Sequence, residues 1–94
     1  MDHLPSIDLL EATHRFPGLY QFKAIGNVED DFEARVLEAV RAETSSASDV
    51  QHSARTTPRG RHVSVTLQVA VDTPEQVRTI YARLQEVQGL TLLL

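Results

Sequence analysis

The sequence predicts a single α+β domain built on an antiparallel sheet. Two stretches alternate apolar and polar residues, as half-buried strands do. Two others bring apolar residues back every three or four positions, the period of an amphipathic helix. Both kinds of stretch must share one core, because the chain has only 94 residues and chains of that size do not divide into domains. Hydrophobic residues at 41% and charged residues at 23% form an ordinary globular mix, which argues against disorder.

Residues 1–18 read as a leader ahead of one domain over 19–94. Ser6 is placed to cap a short helix over residues 7–12, and Pro17-Gly18 closes the leader with turn chemistry. Residues 19–25 form the first strand, with Tyr20, Phe22 and Ala24 on one side and Gln21 and Lys23 on the other. Gly26-Asn27 is expected to break it. Val28, Phe32, Val36 and Val40 recur every four residues, which predicts a helix over 28–43. Glu29, Asp30 and Asp31 then fall in its first turn, where the helix dipole favours carboxylates.

Residues 44–48 form a polar connector, and 49–57 read as a weak strand. Residues 62–72 are the clearest strand: Val63, Val65, Leu67, Val69 and Val71 alternate with Ser64, Thr66 and Gln68. A two-residue tip at Arg59-Gly60 sets Thr57 opposite His62 and turns Val50, His52, Ala54 and Thr56 inward. Thr73-Pro74-Glu75-Gln76 reads as a capping box that opens a second helix, buried through Val77, Ile80, Tyr81, Leu84 and Val87. Gly89 ends that helix, and residues 90–94 supply a last strand in which Leu92 and Leu94 face one side and Leu93 the other. Strand, helix, strand, strand, helix, strand is the ferredoxin-like βαββαβ order. Right-handed crossovers give a four-stranded antiparallel sheet in the order 4-1-3-2 with both helices on one face.

Composition excludes several chemistries. Thirteen acidic residues against nine basic ones give a net charge of -4, which disfavours broad binding to nucleic acid or anionic membrane. The absence of cysteine removes disulfides, thiolate metal sites and thiol nucleophiles. No basic, apolar start reads as a secretory signal, and no apolar run approaches the ~18–20 residues of a membrane helix. The expected location is therefore the cytoplasm. An RNA-binding sheet needs rings on its open face, where this sequence offers Gln21, Lys23, Ser53, Arg55, Ser64, Thr66 and Gln68. A phosphate cradle at Gly26-Asn27-Val28-Glu29 has one glycine, followed by acids. Of the histidines, His3 and His14 lie in the leader, His52 is expected inward as a packing residue and His62 outward, so they share no metal. No nucleophile elbow or paired carboxylates mark an active site, and neither catalytic residues nor a cofactor are expected.

Three stretches carry a resemblance: Phe16-Pro17-x-x-Tyr20-x-Phe22-Lys23-x-Ile25-Gly26, Gly60-x-His62-x-Ser64-Val65-Thr66-Leu67, and Glu75-Gln76-Val77-x-x-Ile80-Tyr81-x-x-Leu84. In order and spacing they resemble the YbeD-like family of small bacterial proteins of unknown function. His62 departs from the aromatic residue common there. The resemblance implies a fold similar to ACT domains, the regulatory modules that bind amino acids beside metabolic enzymes. It also implies a ligand site around Gly26, Asn27 and Val28 at an interface between subunits.

The expected function is thus a small non-catalytic regulatory or protein-interaction module, forming a homodimer and binding a protein partner or small-molecule effector. The candidate partner surface is Lys23, Arg55, Arg59, Arg61, His62 and Leu93. The alternative is weak nucleic-acid binding through the basic hairpin at residues 55–62.

Overall fold

Four strands form one antiparallel sheet in the order β2-β3-β1-β4, which is the expected order read from its other edge. The computed structural model describes residues 4–29 and 31–94, so His3 and Asp30 lie outside the described residues. At the centre, β1 (Gly18–Asn27) pairs with β3 (His62–Val71) along its full length, from Gly18 opposite Val71 to Asn27 opposite His62. Burial alternates along both strands, so Tyr20, Phe22 and Ala24 join Val63, Val65, Leu67, Val69 and Val71 on one covered face.

Three helices cover that face: α1 (Ile7–Thr13), α2 (Phe32–Arg41) and α3 (Pro74–Gln85). The Leu9 amide donates to Ser6 Oγ at 3.1 Å, capping α1. Leu10 of the leader is 1% exposed, so this segment is built into the domain core. On α3, the Gln76 amide donates to Thr73 Oγ1 at 3.2 Å, while the Gln76 side chain accepts from the Asp72 amide at 2.7 Å. The capping box thus closes one residue further back than its usual form.

Three local expectations are corrected. Gly26-Asn27 does not break the strand after Ile25 but forms the last two residues of β1, Gly26 pairing with Val63 and Asn27 with His62. The helix expected from Val28 begins at Phe32: Val28 is 43% exposed in the preceding turn, and Asp31 sits in the left-handed region at φ 54. Glu29 and Asp31 therefore precede α2 rather than filling its first turn. The edge strand β2 (Val50–Thr56) follows a 3-10 turn over Ala47–Asp49 and keeps the expected register, with His52 opposite Leu67. Only Val50 of its inward face is buried, because the helix layer stops short of this edge. His52 is accordingly exposed, with Nε2 3.6 Å from Glu33 Oε2, and His62 is half-buried: both keep the expected facing, but their burial is the reverse of what was expected.

Candidate interaction surface

One end of the sheet collects three loops. The Val28 amide donates to the Arg61 carbonyl at 3.1 Å and the Asn27 amide to the Gly89 carbonyl at 3.0 Å. These bonds bring together the turn after β1, the tip of the β2–β3 hairpin, and the loop from α3 into β4 (Leu90–Leu93). The expected ligand residues Asn27 and Val28 thus lie next to the expected partner residues Arg61 and His62. The hairpin tip itself is a turn over residues 57–60, closed by the Gly60 amide on the Thr57 carbonyl at 2.8 Å. Pro58 and Arg59 are at its centre rather than Arg59-Gly60, and Gly60 follows at φ 71, where a side chain would be strained. The register survives because the Thr57 amide still meets the His62 carbonyl, at 2.8 Å.

Gly26 has a packing role. A Cβ at Gly26 would stand 2.5 Å from the Phe32 ring and 2.7 Å from the Gly89 carbonyl oxygen. Its φ is not positive, so close approach, not turn geometry, requires the glycine. The space above Gly26 is already filled by Phe32, which is 1% exposed.

The sheet's other face is open, and among the described residues the charged side chains of its strands are all basic. No Asp or Glu occurs in any of the four strands, whereas Lys23 and Arg55 lie in β1 and β2 and Arg59 and Arg61 in the hairpin. Acidic residues sit on the helices and loops, for example Asp8, Glu33, Glu38 and Glu75. Helix cations are partly tied to that layer: Arg83 Nε lies 2.8 Å from Glu43 Oε1, and Arg35 donates to Gln88 at 2.8 Å. Among the described residues, the side chains of Lys23, Arg55, Arg59 and Arg61 make no hydrogen bond or ion pair. Thr57, Pro58, Arg59, Arg61 and His62 line a shallow depression of ≈ 410 Å³ at the hairpin.

Apolar residues flank the cations at β4. Leu93 pairs with Ala24 and packs partly buried on the helix side, whereas Leu92, opposite Ile25, is 48% exposed on the open face. Leu94 is bonded to Lys23 and 58% exposed. Phe22, Phe32, Tyr20 and Tyr81 are all buried on the covered face, and among the described residues of the strands His62 is the one ring on the open face. Nothing in this arrangement supports base stacking. Among the described residues, no three His, Cys, Asp or Glu side chains come together as metal ligands would. No helix there is long and apolar enough to cross a membrane.

A family model described as a protein of unknown function, DUF493, matches residues 11–94. The chain is 31% identical over 75 residues to a UPF0250 protein of Shewanella piezotolerans, covering 80% of this chain and 83% of that one. It is 33% identical over 69 residues to a UPF0250 protein of Neisseria gonorrhoeae, covering 73% and 76%. Among solved structures, protein HP0495 from H. pylori superposes with a TM-score of 0.73 at 16% identity, covering 100% of this chain and 98% of that one. The ACT domain from the GTP pyrophosphokinase of Chlorobium tepidum gives a TM-score of 0.64 at 13% identity, covering 81% and 94%. At these identities the structural likeness speaks for the fold, which is ACT-like.

Proposed function

We propose, for a chain that belongs to the DUF493 family and has an ACT-like fold, that it is a regulatory and protein-interaction module that docks an acidic partner on its basic hairpin. The observation that carries this reading is the segregation of charge. In a chain of net charge -4, Arg59 and Arg61, without hydrogen bond or ion pair among the described residues, project from a sheet with no strand carboxylate. Such a one-signed patch steers an oppositely charged surface and fixes its register. Among the described residues none of these cations forms an ion pair, although Glu29 and Asp31 lie in the neighbouring turn.

The reading includes no catalysis. A hydroxyl–imidazole contact exists between Thr13 Oγ1 and His14 Nδ1 at 2.8 Å, but it is exposed at the end of α1, and Thr13 also bonds the Leu9 carbonyl at 2.8 Å. A nucleophile needs a base within an enclosed site, which that helix end does not provide. Self-association fits the same reading, since a second copy would cover Leu92 and Leu94. Sedimentation at increasing concentration measures it, and a strict monomer removes that part.

The test is affinity capture from the source cell with mass spectrometry, using the wild-type chain and an Arg59→Glu/Arg61→Glu variant of unchanged melting temperature. Proteins held by the wild type at low salt should be lost in the variant. They should also be lost near 1 M salt, where screening shortens to about 3 Å. Capture that survives both changes overturns the proposal, as does recovery of nucleic acid in place of protein.

A further inference from the structure

The middle of the open face holds a polar hollow of ≈ 360 Å³ lined by Lys23, Ser53, Ala54, Arg55, Ser64 and Thr66. Strand register builds it. Thr66 of β3 stands between Lys23 of β1 and Ser53 of β2, and the adjoining row places Ser64 between Ile25 and Arg55. Residues that share a row face the same side of the sheet, so two cations and three hydroxyls converge across three strands.

The fold alone does not account for this group. A cation on an edge strand discourages strand-to-strand aggregation, which explains Arg55 on β2. It does not explain Lys23, which is half-buried on an interior strand and whose side chain has no bonding partner among the described residues. Ser64 Oγ is also buried with no hydrogen-bond partner, a state that buried hydroxyls generally avoid. No carboxylate on any strand balances the two charges.

We propose that this hollow is a binding site for a small oxyanion-bearing molecule, its phosphate or carboxylate group held between Lys23 and Arg55 and accepting a hydrogen bond from the Ser64 hydroxyl. The arginine fork and the lysine ammonium supply charge-assisted bonds to the anion, and Ser53 and Thr66 add neutral donors. The volume is at the small end of ligand pockets, which suits a metabolite-sized molecule rather than a protein segment. The site does not depend on partner docking at the hairpin, so either can fail with the other intact.

Amide resonances of the full chain, followed during titration with inorganic phosphate and separately with succinate at constant ionic strength, test the site directly. Saturable shifts centred on Lys23, Arg55, Ser64 and Thr66 with at least one probe are expected, and the preferred probe identifies the oxyanion as phosphate or carboxylate. Lys23→Gln and Arg55→Gln should each weaken binding by about tenfold or more, and Ser64→Ala by roughly three- to tenfold. Arg41→Gln on α2 should bind as the wild type does. Shifts that never saturate, that spread equally over Arg59 and Arg61, or that persist undiminished in the Lys23→Gln/Arg55→Gln variant overturn the proposal.

Discussion

The two faces of the sheet are made by the same four strands, yet they answer to different physics. On the covered face, Phe22, Val65, Leu67 and Val69 are 0% exposed, and each is held by apolar contact with the helices. On the open face, the neighbours one residue along, Lys23, Thr66 and Gln68, are partly exposed, and Gln68 donates to Gln21 at 2.9 Å across the strands. The difference teaches where each kind of residue spends its free energy. Covered residues stabilise the fold, while open-face cations contribute little to it and remain available to a ligand.

Substitutions on opposite faces of β3 test this contrast most strongly. Leu67→Ala should cost about 2–5 kcal/mol of stability in denaturant unfolding, since it leaves a cavity in a close-packed core. Thr66→Ala, one residue away, should stay within about 0.5 kcal/mol. Equal losses at the two positions would erase the distinction between the faces.

The contrast sharpens at Gly26, where the covered face has no spare volume. Gly26→Ala must displace the Phe32 ring or the Gly89 backbone and should cost about 1–3 kcal/mol, the range of overpacking. A neutral or stabilising result in the same unfolding measurement would mean that Phe32 does not fill the space above Gly26.

A smaller effect belongs to the covered face's aromatic pair. Tyr20 and Tyr81 hydroxyls lie 3.0 Å apart, and burial, then the hydrogen bond to Tyr20, hold the Tyr81 phenol above its ordinary range. The folded state therefore binds this proton more tightly than the unfolded chain. Its contribution is complete below pH about 10, the unfolded phenol value, and is lost as pH rises beyond it. Thermal melts of the wild type should fall above that pH more steeply than those of Tyr81→Phe; parallel curves would show that the pair does not control alkaline stability.

Much of this architecture was legible because burial leaves a period in the sequence. The alternation of Val63, Val65, Leu67, Val69 and Val71 and the turn chemistry of Pro58-Arg59-Gly60 fixed β3 and its register with β2. The start of α2 was not legible, because Val28 continues the four-residue spacing of Phe32, Val36 and Val40 although Asp31 turns the backbone left-handed. Alternation also cannot report where a helix layer ends, so His52 faces the covered side yet remains exposed. At the candidate surface the cations could be read as letters. Their grouping could not, since Lys23 joins the β2–β3 pair of Arg55 and Ser64 only through the β1–β3 register, which sets it opposite Thr66, about forty positions away in sequence. The absence of acids from the strands was open to inspection throughout, but acquires meaning only when the strands become one face.

The smallest expected effect is the most informative about function. Arg59 and Arg61 are exposed at the hairpin tip and make no side-chain hydrogen bond or ion pair among the described residues, so replacing both with alanine removes charge without opening a buried cavity or stranding a buried group. Stability should change by no more than about 0.5 kcal/mol, as for surface substitutions outside special backbone sites. Gly60, whose φ of 71 shapes the turn, is untouched by this change. A denaturant midpoint equal to that of the wild type would leave the two arginines without a structural role, so that any partner lost on their removal is lost at the interface. A large drop in midpoint would instead place them in the fold and break the division between the faces.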